Sequence, residues 1–317
     1  MAPQPRLTFP DGRRFAFTIM DDTDVATVAN VRPMYQLLTD LGMRTTKTVW
    51  PVGCPEGSKN FSSSETLDDP DYLAFVLELE RTGFEIAYHG ATMETSLRER
   101  TESAISRFVS LFQTPPRVYA NHAYNRENLY WGVDRIDIGL LKFLYRRLTR
   151  QAQDHYQGHR PGSPWWWGDL ASRHVRYARN LTFNEINLRR VNPTLPYRDP
   201  RRSLIPWWFS AADAEDVTAF NALLSNENQD RLEHQAGICI VATHFGKGFV
   251  TKGAVVPDTE QLLRQLVRRR GWFVPVGTLL DWLVQQRVAG SLSAAEWRWM
   301  QWRWFGDLVA RHIGVRP

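Results

Sequence analysis

The sequence has few cysteines and no long hydrophobic run. Two cysteines, Cys54 and Cys239, among 317 residues do not supply a disulfide framework. The longest apolar runs, such as residues 238–242, are far shorter than the ~20 residues of a membrane-spanning helix. Residues 1–14 contain no apolar segment of the kind found in signal peptides. These absences exclude a disulfide-stapled or membrane-spanning class and lead us to expect a cytoplasmic protein.

Charge is unevenly distributed along the chain. The net charge is +5, yet residues 142–202 hold 13 Lys and Arg against 4 Asp and Glu. This basic segment favours an anionic partner such as a phosphate or a uronic acid, although a solvated basic face explains it equally well. The basic residues form no dense run and no nucleic-acid-binding motif is present, so we expect no nucleic acid partner.

Strand-like and helix-like segments alternate along the chain. Short apolar or β-branched segments predict strands at 15–20, 45–50, 84–88, 118–121, 181–184, 204–209, 238–243 and 272–276. Apolar residues at helical spacing predict helices at 28–41, 70–82, 97–112, 136–149, 214–224, 229–235, 259–269 and 278–288. This alternation predicts an α/β fold with parallel strands. Seven or eight strands suit a closed or nearly closed β/α barrel, with an open doubly wound sheet as the alternative.

Carboxylates and imidazoles directly follow several predicted strands. They are Asp21, Asp22 and Asp24 after the first strand, His89 after the third, Asn121 and His122 after the fourth, and His244 after the strand at 238–243. A barrel would bring these strand ends to one mouth. Two imidazoles and a carboxylate are typical of a catalytic divalent metal site, and a further carboxylate and imidazole can serve as base and acid. Non-haem iron oxygenases share this ligand set but fit the alternation less well, and each residue alone is explained by surface polarity or helix capping.

Three short motifs occur at predicted strand ends in a fixed order. They are Thr-Ile-Met-Asp-Asp-Thr at 18–23, Gly-Phe-Glu-Ile-Ala-Tyr-His-Gly at 83–90 and Val-Ala-Thr-His at 241–244. Together they resemble the polysaccharide deacetylase-like family, which comprises metal-dependent carbohydrate esterases on a distorted (β/α) barrel. The resemblance implies such a barrel of seven or eight strands, with one divalent metal ion, for which zinc is favoured.

The resemblance also implies roles for individual residues. It makes Asp21 the general base, Asp22 and His89 metal ligands, and His244 the general acid. Met93 stands where the family has its second histidine ligand, and the family's arginine after the fourth strand is absent. Our hypothesis is that His122 supplies the missing imidazole and completes a site with Asp22 and His89. A metal-independent variant is the alternative.

The predicted reaction is hydrolysis of an acyl group, most simply N-acetyl, from an amino sugar. The candidate substrate-binding residues are Asn121, Asn125, Arg126, Trp131 and Lys247. The expected partner is a carbohydrate, anionic or phosphate-linked, and a precursor in surface-glycan synthesis fits a cytoplasmic protein. Two alternatives stay open: a catalytically inactive glycan-binding barrel, and a metal-free C–N hydrolase acting on a non-sugar amide.

The C-terminal segment is rich in tryptophan. We predict a barrel domain over residues 1–288 and a helical extension over 289–317. A capping box at 293–296 opens a helix in which Trp297, Met300 and Trp304 form one apolar stripe. This stripe suits docking on the barrel, and a homodimer contact or a membrane-surface contact are the alternatives.

Overall fold

The computed structural model describes residues 7–61, 63–151 and 154–314. Its strands are β1 Phe15–Asp21, β2 Thr46–Val49, β3 Glu85–Tyr88, β4 Val118–Ala120, β5 Tyr177–Phe183, β6 Tyr197–Arg198, β7 Trp207–Asp213, β8 Ile238–Thr243, β9 Val250–Thr251, β10 Ala254–Val255, β11 Gly271–Trp272 and β12 Gly290–Ser291. Its α-helices are α1 Val28–Asp40, α2 Pro70–Arg81, α3 Arg98–Phe112, α4 Gly139–Thr149, α5 Gly168–His174, α6 Val217–Leu223, α7 Asn226–His234, α8 Pro257–Arg268, α9 Val276–Gln285 and α10 Ala294–His312.

Parallel strands close into a barrel in the order β1–β2–β3–β4–β5–β7–β8, and β8 pairs back onto β1. Every residue of β1 and β8 is buried. Burial on both faces is expected when a parallel sheet has side chains packed inside it and helices packed outside. The structure therefore confirms the predicted β/α barrel, in its seven-stranded form.

Some element boundaries differ from the sequence-based predictions. The fifth strand begins at Tyr177, four residues before the predicted start, because Arg179 interrupts the apolar pattern from which it was predicted. The segment predicted as strand 204–209 is shifted to β7, which runs on to Asp213. The last predicted strand shrinks to β11, because Pro275 caps the following helix α9. Helix α5 was not predicted.

The C-terminal helix α10 packs against the barrel. It begins with the expected capping box between Ser293 and Glu296. Trp304 is buried and stacks on Tyr145 of α4, with 5.7 Å between ring centroids. On the side of α10 that faces away from the barrel, Trp299 is 38% exposed. Residues 1–6 and 315–317, the outer ends of the two predicted domains, lie outside the described residues. No helix in the described ranges combines the length and apolarity needed to span a bilayer.

Candidate functional site

A cavity of about 790 Å³ opens where the barrel strands end. Its wall contains eight of the ten side chains predicted from the sequence: Asp22, His89, Asn121, His122, Asn125, Trp131, His244 and Lys247. The loops after β1, β3, β4 and β8 supply most of them, because the carboxyl ends of parallel strands share one end of the barrel. The expected convergence of strand ends is thus present in the structure.

The carboxylate of Asp24 lies at the centre of three imidazoles. Its Oδ1 is 3.6 Å from Nε2 of His89 and 3.3 Å from Nε2 of His122. Its Oδ2 is 2.9 Å from Nε2 of His244. Burial alone would raise the pKa of Asp24, but the hydrogen bond from His244 and the interactions with His89 and His122 hold it well below its usual value. Asp24 is therefore a carboxylate anion in this site.

The other ring nitrogen of each histidine is fixed by a hydrogen bond. Nδ1 of His89 is 3.0 Å from the carbonyl oxygen of Ala120, and Nδ1 of His244 is 2.8 Å from that of Glu215. Carbonyl oxygens only accept hydrogen bonds, so both Nδ1 atoms carry the proton. In the neutral ring, each Nε2 then presents a lone pair toward the carboxylate.

His122 is oriented by an amide rather than a backbone carbonyl. Its Nδ1 is 3.0 Å from Oδ1 of Asn125. The Nδ2 of Asn125 donates to the carbonyl oxygens of Thr92 and Glu94, which fixes Oδ1 as the acceptor for His122. Burial lowers the pKa of His122, and the opposing charge of Asp24 does not outweigh it. His122 is therefore a neutral imidazole whose Nε2 lone pair faces Asp24.

His244 has the opposite protonation preference. Burial acts to lower its pKa, but the hydrogen bond to Asp24 and the charges of Asp22 and Asp24 outweigh burial and raise it. The short contact to Asp24 is that of a donated hydrogen bond. His244 is accordingly suited to hold a proton, whereas His122 is suited to hold a lone pair.

These contacts test whether a divalent cation fits. Oδ1 of Asp24 and Nε2 of His89 are buried and have no hydrogen-bond partner. Two unsatisfied acceptors that face each other are stabilised by a cation between them. In a tetrahedral zinc site with bonds of about 2.1 Å, neighbouring ligand atoms lie about 3.4 Å apart. The separations of 3.3 and 3.6 Å from Asp24 Oδ1 match that spacing. Across the described residues no complete set of three or more His, Cys, Asp or Glu ligands is preformed, but the chemistry of Asp24, His89 and His122 fits the cation.

Asp22 is held by an arginine rather than by an imidazole. Nη1 of Arg179, on β5, donates to Asp22 Oδ1 at 2.9 Å, and Nη2 donates to Oδ2. Burial raises the pKa of Asp22, but the charge of Arg179 and smaller effects of His89 and His244 outweigh burial and lower it. Asp22 is an oriented anion in the cavity wall, 3.9 Å from Nε2 of His244. Asp22 was expected to be a metal ligand, but this geometry suits Asp24 better than Asp22 for that role.

Asp21 lies on the other side of the strand. Its fully buried carboxylate is 2.9 Å from Nζ of Lys47, and it accepts hydrogen bonds from the Tyr35 hydroxyl and the backbone N–H of Phe245. It does not line the cavity. A carboxylate with these partners cannot reach a water molecule in the cavity, so this placement argues against Asp21 as the general base.

The predicted substrate-binding residues occupy different environments. Arg126 lies outside the cavity wall and covers the ring of Trp165 at 3.7 Å. Asn121 reaches the wall, but its amide is bonded to the Tyr119 hydroxyl and the backbone of Leu129. Asn125 orients His122, as described above. Trp131 and Lys247 line the cavity, and Lys247 forms an ion pair with Glu215 at 2.9 Å.

Sequence reasoning missed the roles of two residues. Asp24 was noted after the first strand without a role, although an extended chain puts residues 22 and 24 on one side and residue 21 on the other. That alternation was the signal that could have separated Asp21 from Asp22 and Asp24. Arg179 gave only a weaker signal, as a charged residue within an apolar strand.

No protein-family model matches the sequence, and no curated protein is matched either. Solved structures are similar over most of the chain. A protein from Mycobacterium smegmatis assigned as a polysaccharide deacetylase has a TM-score of 0.56 at 12% identity, covering 92% of this chain and 98% of its own. A Pseudomonas aeruginosa PAO1 protein with the same assignment has a TM-score of 0.53 at 11% identity, covering 90% of this chain and 96% of its own.

PuuE allantoinase also has a TM-score of 0.53, at 10% identity, with 89% of this chain and 95% of that protein covered. At such low identities these similarities establish the fold and nothing finer. The class that emerges is therefore an α/β protein with a distorted seven-stranded barrel. More particularly, it is the barrel of the polysaccharide deacetylase structures, as the sequence resemblance implied.

Proposed function

We propose that this chain is a metal-dependent hydrolase that removes an acyl group, most simply acetyl, from the nitrogen of an amino sugar. The observation that carries this proposal is the grouping of His89, His122 and His244 around Asp24 at the mouth of a deacetylase-type barrel. The fold and the sequence motifs support the same reaction class.

His89, His122 and Asp24 would hold the divalent cation. Such a cation lowers the pKa of a water molecule and polarises an amide carbonyl. Hydrogen bonds to Ala120 and Asn125 keep both imidazole Nε2 atoms directed at the site. Orientation by such outer partners is a common feature of metal-binding histidines.

Asp22 is our candidate for the general base, in place of Asp21. Its carboxylate is ionised, faces the cavity and is held by two hydrogen bonds from the Arg179 guanidinium. A carboxylate offers about four acceptor positions, so the two bonds from Arg179 leave it able to accept a proton from water. Arg179 on β5 would then be the arginine partner of the base, in place of the family's arginine after the fourth strand, which is missing here.

His244 is our candidate for the general acid. Its Nε2 is directed toward Asp24 at 2.9 Å, and this hydrogen bond together with the charges of Asp22 and Asp24 raises its pKa, which favours the protonated form. Transfer of this proton to the departing nitrogen completes cleavage of the C–N bond. The base and acid candidates, Asp22 and His244, are close enough to serve one substrate.

A metal-free hydrolase of non-sugar amides is the second candidate. The hydrogen-bonded pair of His244 and Asp24 offers proton transfer by side chains alone. The similarity in fold to PuuE allantoinase shows that the barrel also occurs in a protein with a different named activity.

The proposal is tested by measuring acetate release from chitin oligosaccharides and N-acetylglucosamine derivatives. The measurement is made before chelation, after chelation, and after zinc is added back. We expect turnover that chelation abolishes and zinc restores, with turnover lost in H89A and kept in H234A, a surface histidine on α7. Chelation-resistant turnover would favour the metal-free candidate. Saturable binding without acetate release, even with added zinc, would indicate an inactive glycan-binding barrel.

A further inference from the structure

Arg135 is a buried cation in the wall of the catalytic cavity. Its side chain lies in a 3₁₀ turn after β4, and the residue is only 8% exposed. Its guanidinium lies over the ring of Trp131 at 4.0 Å and over that of Trp304, from α10, at 4.5 Å. Two indoles thus pack against the guanidinium and restrict its orientation.

The polar partners of Arg135 are all neutral. Its Nε donates to the carbonyl oxygen of Gly132 at 3.3 Å, and the hydroxyls of Tyr145 and Tyr156 are also near. The one charged group that affects its pKa, Arg311, is positive as well and is paired with Asp213. No Asp or Glu within the described ranges forms an ion pair with it. By contrast, the buried arginines Arg179 and Arg202 each donate to a carboxylate through the guanidinium. Burial without a nearby anion also lowers the pKa of Arg135.

Most other charged side chains of the cavity wall already have a partner. In this wall Asp22 pairs with Arg179 and Glu215 pairs with Lys247. Glu94 and Asp213 of the wall pair with Arg100 and Arg311, which lie outside it. Lys59 is exposed to solvent. Asp24 faces the imidazoles, where a cation fits. Arg135 is therefore a buried positive charge that nothing in the described wall neutralises.

We propose that Arg135 binds an anionic group of the substrate, a carboxylate or a phosphate, so that the substrate class is an acidic acylated amino sugar. This inference rests on the proposed amide hydrolysis. A guanidinium donates two parallel hydrogen bonds to such a group, which makes arginine the side chain best matched to it. Trp131 and Trp304 hold the guanidinium for this contact before the substrate arrives.

The inference also gives the C-terminal helix a function. Trp304 covers one face of Arg135, and the same tryptophan stacks on Tyr145. Helix α10 thereby supports, from behind the cavity wall, the side chain that would recognise the substrate. The metal-binding candidates at one part of the cavity would contact the acyl group, while Arg135 would contact the acid.

Calorimetry with four probes tests this inference: N-acetylglucosamine, its 1-phosphate, its 6-phosphate, and N-acetylmuramic acid, which has a carboxylate. The protein is used as the full chain, loaded with zinc. The variants are R135M, which keeps an apolar side chain between the indoles, and R135K, which keeps the charge without the planar fork. R198M is the matched control, because Arg198 also lies over a tryptophan, Trp207 at 4.4 Å, but is exposed and outside the cavity.

We expect at least one acidic probe to bind more tightly than N-acetylglucosamine. R135M should weaken that probe by about 10- to 100-fold without weakening the neutral sugar, as loss of hydrogen bonds to a charged group predicts. R198M should bind like the wild type. A preference for a phosphate probe or for N-acetylmuramic acid identifies the kind of anion, and either supports the inference.

Equal binding of neutral and acidic probes, or an acidic preference that survives in R135M and R135K, would overturn the inference. The melting temperatures of R135M and the wild type, measured without ligand, provide a second test. Since R135M removes an uncompensated buried charge, its melting temperature should equal or exceed that of the wild type. Hydrolysis of neutral sugars alone would refute the inference but keep the proposed function. Anion binding that depends on Arg135, without hydrolysis of any sugar, would support the Arg135 site and refute the proposed function.

Discussion

Arg179 and Asp22, which are 157 residues apart in the chain, form a doubly hydrogen-bonded ion pair. Both side chains are almost completely buried. The pair joins β5 to the end of β1 across the barrel mouth and fixes a carboxylate beside the histidine cluster. It links the stability of the barrel to the geometry of the site.

We predict that R179Q lowers the free energy of unfolding by about 3–5 kcal/mol, because removal of one partner leaves a buried charge without compensation. Urea denaturation measures the loss. The double variant D22N/R179Q should recover part of it, since neither charge is then left. A double variant no more stable than R179Q would show that the loss comes from packing rather than from the unpaired carboxylate.

D22N and D21N should have different effects. D22N removes the candidate base, so kcat per folded molecule should fall by about 10²- to 10⁴-fold, and because Arg179 is left unpaired the free energy of unfolding should fall as well, as in R179Q. D21N leaves Lys47 buried without its partner, so the free energy of unfolding should fall by about 3–5 kcal/mol while the folded fraction keeps most of its kcat. Steady-state kinetics normalised to the folded fraction compares them. A large loss of kcat in D21N but not in D22N would indicate that Asp21 is the base.

Asn125 should act on metal affinity through His122. N125A removes the acceptor for His122 Nδ1, so zinc affinity should fall by about 10- to 100-fold, the usual effect of losing an outer partner of a metal-binding histidine. Competition with a fluorescent chelator measures the affinity. N228A, on the surface helix α7, serves as the control. Unchanged affinity in N125A would separate His122 from the metal.

His159 should make stability depend on pH. Its Nδ1 accepts a hydrogen bond from the Tyr130 backbone at 3.1 Å, and burial lowers its pKa to about 4. Because the unfolded chain binds this proton with a pKa of about 6.5, the unfolded state takes up more protons between these values. Stability is therefore retained above pH 6.5 and lost by up to about 3 kcal/mol as the pH falls toward 4.

H159N keeps an acceptor for the Tyr130 N–H but does not titrate. Denaturation at a series of pH values should show a smaller loss of stability for H159N than for the wild type below pH 6.5. Parallel curves for the two proteins would mean that His159 does not contribute to the acid sensitivity.

The barrel could be predicted from the sequence because strand–helix alternation is a local pattern. The convergence of His89, His122 and His244 on one cavity followed from the rule that parallel strands end together. The pairing of Asp22 with Arg179 could not be predicted, because it joins strands far apart in the chain. The burial of Asp21 was predictable in principle from strand alternation, but motif matching, which assigned the base to Asp21, does not take account of the side of the strand that a residue faces.

The roles of the aromatic residues also required three dimensions. The helical stripe correctly grouped Trp297 with Trp304, and both are buried. Their neighbours could not be read from that pattern. No sequence pattern indicates that Trp304 and Trp131 lie against Arg135, because the three residues come together only through the packing of α10 on the barrel.

Metal content tests the proposal that Asp24, His89 and His122 together hold one divalent cation. Elemental analysis after zinc loading and desalting should find about one equivalent of zinc per chain in the wild type, as a single site predicts. D21N and H234A should retain the same amount. D24A, H89A and H122A should each lose most of it. Zinc retained in D24A, or none bound by the wild type after loading, would contradict the account.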